Sequence, residues 1–139
     1  RAPCADAAAL TFENWQAWTK LTPKPIVASG HGGSWAGVYL NDGARDDYLA
    51  AAARYPRCAA IAKPIYTDAR ATGVLELLIM VKMPAAYDPE NADWWYGVYD
   101  ATGRKARRQG KLKDCIACHA FATETDYLFA EEVLEAIGK

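Results

Sequence analysis

The chain is 139 residues long, 52% hydrophobic and 24% charged, a size that fills one compact core but not two, so a single domain over residues 1–139 is expected. Its 16 basic and 17 acidic residues leave a net charge of -1, which provides no field for nucleic acid or a membrane surface. No apolar run approaches the roughly 20 residues that cross a bilayer, the longest being VLELLIMV at 74–81.

In chain order, ADAAALTFENWQAWTKL at 5–21 favours a helix, with Asp6 or Thr11 as N-cap and Leu10, Trp15 and Trp18 in its apolar stripe, ended by TPKP. The glycine-rich SGHGGSWAG leads into a predicted strand, WAGVYLN. Asp46 and Asp47 then head a short helix, YLAAAARY, that stops at Pro56. AIAKPIY and VLELLIMVKM read as strands joined by TDARATG. In the second, Leu75, Leu77, Ile79, Val81 and Met83 share an apolar face, while Glu76, Leu78, Met80 and Lys82 share a mixed face suited to a pocket or solvent. DWWYGVYD is a further strand closed by DATG. A basic loop follows, and TETDYLFAEEVLEAIGK reads as a final helix with Thr123 and Asp126 in a capping-box relation. The fold class expected is α+β, mainly β: an antiparallel sheet with peripheral helices.

Near the C-terminus, DCIACHAF holds Cys115, Cys118 and His119, the Cys-x-x-Cys-His attachment signature of c-type haem. The two thiols add to the porphyrin vinyl groups, and His119, beside the second thioether, is held under the iron as axial ligand. Two other readings compete. A zinc site would need a fourth ligand from Cys4, Cys58 or His31. A redox dithiol would want its motif at a helix start after the first strand of an α/β unit. Covalent haem attachment implies export to the bacterial periplasm, and a chain opening at Arg1 fits a mature protein whose signal peptide has been removed. In an oxidising compartment, Cys4 and Cys58 are an available disulfide pair, the alternative being two buried thiols.

An electron carrier needs a sixth iron ligand, for which the chain offers Met80, Met83 and His31. Met83 reads as packing, and Met80 more as core than ligand. An open iron, favouring small-molecule chemistry, is the expectation. The five Trp and eight Tyr either fill the core or line a large flat cofactor; an aromatic or aliphatic distal wall is expected, with Trp35, Tyr39, Trp94, Trp95, Tyr96 and Phe121 as its aromatic candidates.

Taken together, HGGSWAGVYLN, YPRCAAIAKPIY, LIMVKMPAAYDPENADWWYGVYDATG and CIACHAFATETDYLF resemble, in order and spacing, the cytochrome P460 family, which includes the cytochrome c'-beta proteins. The resemblance implies a mainly antiparallel β fold, usually a homodimer. It also implies a lysine bonded to the porphyrin edge seven residues after a proline, which Pro56 and Lys63 match. An amine in the apolar strand AIAKPIY is costly unless bonded or paired, the alternative being a lysine that snorkels to solvent. The activity implied is oxidation of hydroxylamine to nitric oxide or nitrous oxide, with electrons passing to a partner cytochrome. The alternatives are a nitric oxide binding protein of the c'-beta kind and a plain electron-transfer cytochrome. Hydroxylamine oxidation needs a proton acceptor above the haem. The family's carboxylate lies just before the haem motif, where GRKARRQGKLK has no acid. Asp114 follows it but is constrained by Cys115, and Glu76, Asp100 or a water are the substitutes, with nothing in the sequence to select among them. A second departure is Cys58, where a glycine is common. Arg104, Lys105, Arg107, Arg108, Lys111 and Lys113 form a basic cluster suited to a solvated loop, to haem propionates or to an acidic redox partner.

Overall fold

The computed structural model describes Cys4 and residues 12–139. Those residues form one antiparallel eight-stranded sheet: β1 (Thr19–Lys20), β2 (Ile26–Ala28), β3 (Ser34–Ala36), β4 (Tyr39–Leu40), β5 (Ala60–Tyr66), β6 (Val74–Lys82), β7 (Trp94–Tyr99) and β8 (Ala106–Gly110). The path runs β1-β4-β5-β6-β7-β8, with β3 also pairing β5 and carrying β2 outside it. Helices α1 (Asp42–Leu49), α2 (Lys113–His119) and α3 (Ala130–Ala136) flank the sheet. This is the α+β, mainly β class expected.

The long strands β5, β6 and β7 carry the β-branched and aromatic residues that pack well on a pleated surface. Their alternation separates two apolar clusters. Ala60, Ala62, Leu77, Ile79, Val81, Trp95 and Tyr99 pack on one side with Phe12, Trp15 and Tyr39. On the other side Ile61, Met80, Trp94 and Tyr96 meet α1 and α3. Gly97 is required between Trp95 and Tyr99, because a Cβ there would lie 2.6 Å from the Trp95 ring and 2.7 Å from that of Tyr99. Of the apolar face expected on β6, Leu75 departs: at the strand end it is exposed.

Five local expectations are corrected. The helix over 5–21 does not form from residue 12 onward; Asp6, Leu10 and Thr11 lie outside the described residues. Only a 3-10 turn, Trp15–Ala17, precedes β1, because Phe12 and Trp15 are drawn into the far-side cluster and Thr19–Lys20 pairs with β4. Tertiary burial outweighs helix propensity here.

WAGVYLN is two strands rather than one. Gly37 and Val38 interrupt it opposite Pro64, which has no N–H to donate and whose carbonyl accepts the Gly37 N–H at 3.1 Å. Helix α1 starts earlier than expected. Asn41 caps it, its Oδ1 accepting from the backbone N–H of Ala44 (3.0 Å) and Ala60 (2.9 Å) while Nδ2 donates to Cys58 O (3.0 Å). The alanines after Leu49 lie outside it.

The basic loop contains strand β8, which has a bulge: Val98 pairs with Arg108 and Tyr99 with Ala106, leaving Arg107 as the extra residue. The final helix is broken. A 3-10 segment, Ala120–Thr125, is followed by Asp126 and Tyr127 in left-handed conformation (φ 56° and 70°), and α3 begins only at Ala130. Asp126 caps nothing in that helix, because its carboxylate is turned to the sheet: it accepts from Lys82 Nζ and from the Tyr55 N–H.

Cys4 and Cys58 are joined by a disulfide with Cα atoms 5.3 Å apart. Cys58 adopts φ 76°, the left-handed conformation in which glycine is free of strain.

Candidate functional site

The mixed face of β6 forms one wall of a cavity of about 490 Å³. Glu76, Leu78 and Met80 line it, joined by Ile61 and Lys63 of β5 and by Tyr96 and Val98 of β7. Helix α2 closes it with Cys115, Cys118 and His119, and the segment before and within α3 adds Leu128, Phe129 and Val133. A second cavity of about 380 Å³ adjoins it and shares Gly30, His31, Lys63, Cys118 and His119.

Helix α2 is short because the chain turns into the 3-10 segment directly after His119. Its one-turn spacing brings Cys115 and Cys118 to one face, both as free thiols, with His119 beside them. The Nδ1 of His119 lies 2.7 Å from the Tyr127 carbonyl oxygen. A carbonyl only accepts, so Nδ1 carries the proton and Nε2 keeps its lone pair for a metal. Burial pushes the His119 pKa down to about 4, opposed by the Tyr127 bond and aided by Lys63 and His31. The imidazole is neutral, as an iron ligand must be. Rings of Tyr96 (centroids 5.7 Å) and Phe129 (5.2 Å) hold it on two sides.

Lys63 faces the cavity from the central ladder, where its register partner is Leu78. Burial pulls its pKa below the ordinary lysine range, with Cys118 acting weakly in the opposite direction. Burial thus works against the charged form of this amine. His31, at the end of the 3-10 turn Ser29–His31, also lines both cavities, its pKa lowered by burial and then by Lys63.

Of the other candidate ligands, Met80 lines the cavity, whereas Met83 is packed on the far side of the sheet, as its face implied. The aromatic distal wall is mostly corrected. Trp35 is outside both cavities, Tyr39 and Trp95 belong to the opposite cluster, and Trp94 is consumed by a bond from its Nε1 to Asp126 O (2.8 Å). Tyr96 lines the main cavity, and Phe121, 89% exposed, lines the second. The side chains that replace the missing aromatics are aliphatic: Ile61, Leu78 and Val98. Leu78 falls on the face of β6 that the alternation assigned to a pocket or solvent, whereas nothing in the sequence marked Ile61 or Val98 for the cavity.

Two acids reach the main cavity. Asp114 is held by both terminal nitrogens of Arg108, which keep its pKa below the ordinary carboxylate value. Glu76 pairs more loosely with Arg107, at 3.6 Å. Met80 pairs with Tyr96, at the His119 end, and Glu76 lies four residues further along β6, about 13 Å away at strand rise. It therefore stands at the far end of the cavity from the imidazole. Asp100, by contrast, sits in the β7–β8 turn and accepts from Thr102 Oγ1 (2.7 Å). The bulge at Arg107 lets two successive arginines of β8 both line the cavity, which strict alternation forbids. Among the other basic residues, Arg104 pairs with Glu13 (2.8 Å) and Lys111 lies over the Tyr87 ring.

Among the described residues no group of three or more His, Cys, Asp or Glu side chains converges to hold a metal ion directly, so the zinc reading has no site there. The donors fit haem instead: paired thiols, one imidazole with a fixed tautomer, and apolar walls around a space of ligand size. The buried Tyr96 hydroxyl, without a hydrogen-bond partner among the described residues, leaves a further polar contact for a bound group.

An antiparallel sheet with such a cavity on one face defines a β-class haem protein. The family model for cytochrome P460 matches residues 11–130, and the chain belongs to that family of haem-binding cytochromes. No curated protein matches the chain.

Proposed function

We propose that the protein is a periplasmic mono-haem c-type cytochrome that oxidises hydroxylamine to nitric oxide or nitrous oxide, its haem bonded to Lys63 as well as to Cys115 and Cys118. The observation that carries the reading is the position of Lys63 on the wall of the cavity that also holds both free thiols and His119. A lysine on that wall is costly unless bonded or paired, and burial works against its charged form.

Haem bound there would supply the redox iron that takes hydroxylamine and accepts its electrons. His119 would hold the iron through Nε2. Arg107 and Arg108, beside the same cavity, suit the propionates. Glu76 is the proton acceptor, because Asp114 is committed to Arg108 and Asp100 is distant from the cavity. Leu78, Ile61 and Val98 exclude water from the reacting nitrogen. The disulfide supports an oxidising compartment. The exposed Val27 and Phe121 at the second cavity support a homodimer contact, and the basic β8 region supports docking of an acidic redox partner.

The test is the optical spectrum of the dithionite-reduced protein, followed by a hydroxylamine assay with an artificial electron acceptor. A strongly red-shifted Soret band and turnover are expected. An ordinary high-spin c-haem spectrum without turnover would replace this reading with nitric oxide binding. Sharp low-spin bands would indicate an electron carrier ligated by Met80 or His31.

A further inference from the structure

One residue before the Tyr127 carbonyl that fixes the His119 tautomer, Asp126 forms an ion pair outside the cavity lining. Lys82 continues the cavity-facing row of β6 beyond Met80 and reaches Asp126, with Nζ 3.0 Å and 2.8 Å from the two carboxylate oxygens. Both side chains are buried, at 12% and 6% exposure. The same carboxylate accepts the Tyr55 N–H at 2.7 Å, and the Asp126 carbonyl accepts Trp94 Nε1 at 2.8 Å. Asp126 is thus held through its side chain and its backbone, by β6, by β7 and by the segment that follows α1.

The next peptide unit bears the Tyr127 carbonyl. Asp126 and Tyr127 both have positive φ, a conformation that two successive non-glycine residues hold only where their surroundings impose it. Tyr127 N–H donates to Ala122 O at 2.8 Å, completing the turn. The Thr125 hydroxyl bonds the Leu128 carbonyl across the turn, and the contacts of Asp126 tie it to the sheet. A buried ion pair is weak evidence for stability, since desolvation offsets attraction, so its placement one residue from the histidine's acceptor calls for another account.

We propose that the Lys82–Asp126 pair is a positioning device for the axial histidine: it fixes the left-handed turn that aims the Tyr127 carbonyl at His119 Nδ1. Through that hydrogen bond it sets the orientation and basicity of the imidazole, and so the electron donation of Nε2 to a bound iron. Lys82 and Asp126 touch neither substrate nor cofactor in this role. The proposal rests on the reading of His119 as the iron ligand.

Resonance Raman spectra of the reduced holoprotein, with its midpoint potential, test it in Asp126→Asn and Lys82→Met. Both variants should shift the iron–histidine stretch to lower frequency and raise the potential, because a looser Nδ1–H bond makes the imidazole a poorer donor. Lys82→Arg, which keeps the charge, should restore the band toward its original position, and it carries the comparison with Lys82→Met if Asp126→Asn yields no folded protein. Trp15→Phe is the control: it removes a bond from Nε1 to the Ala101 carbonyl on the opposite side of the sheet and should lower stability while leaving the band in place. Variants that fold with unmoved band and potential would overturn the positioning role alone. The absence of an iron–histidine band from the unaltered protein would overturn the ligand reading and the positioning role with it.

Discussion

Lys63 of β5 stands opposite Leu78 of β6 in the central ladder of the sheet, and both side chains line the haem-sized cavity. The amine is fixed on a rigid strand that is buried along nearly its whole length. Replacing it with methionine keeps the volume and removes the nitrogen that would bond the haem. Lys63→Met should fold, melt no higher than the cross-linked protein, give an ordinary c-haem spectrum and lose hydroxylamine oxidation. Thermal melting and the reduced spectrum check both parts.

Glu76 is the acid available at the far end of the cavity from His119. Glu76→Gln should lower hydroxylamine turnover by about 10²–10⁴-fold, the usual contribution of a positioned acid or base, with the haem spectrum unchanged. Asp100→Asn, in the β7–β8 turn, should retain full turnover. Equal losses in the two variants would show that the carboxylate position is irrelevant.

Asn41 joins three pieces of backbone: the start of α1, the first residue of β5 and the disulfide-bearing loop at Cys58. Asn41→Ala removes a helix cap and leaves the Ala60 N–H without its acceptor, while the Ala44 N–H keeps the Asn41 backbone carbonyl. A loss of about 2 kcal/mol is expected in urea denaturation, at the upper end for caps. The haem spectrum should be preserved, since Asn41 does not line the cavity.

The pH dependence of the α2 end follows from Asp114. Bonds from Arg108 hold its carboxyl below the ordinary value of 3.8. Because the folded pKa is depressed, the unfolded chain takes up the proton first. The contribution to stability is therefore present above the unfolded pKa and lost as pH falls through the folded one. Melting temperatures measured from neutral pH down into that acid window should fall less steeply in Asp114→Asn than in the unaltered protein. The difference should shrink at high salt, because the pair is exposed.

The long strands and the clustering of Cys115, Cys118 and His119 were legible because each carries a strong local signal. AIAKPIY and VLELLIMVKM are bounded by turn chemistry, and the alternation in the latter separated Leu77, Ile79 and Val81 from Glu76, Leu78 and Met80 as the sheet does. The misread segments answer to distant residues. Trp15 leaves a helical pattern for an aromatic cluster, and the strand at Trp35 is cut by the proline of a neighbouring strand. Asp126 takes a partner 44 residues away rather than the helix beside it. The two arginines at the cavity depend on one bulge, which no composition signals. Of the aromatic candidates, the sequence carried no mark separating Tyr96, on the cavity, from Trp95, on the opposite face one residue earlier.

The central claim is a covalent bond between Lys63 and the haem held by Cys115 and Cys118. Protease digestion of the native protein, with mass spectrometry of the haem-containing fraction, tests it directly. The account predicts one haem species carrying both the peptide with Lys63 and the peptide with Cys115 and Cys118. Recovery of the Lys63 peptide at its unmodified mass, with haem on the cysteine peptide alone, would contradict it.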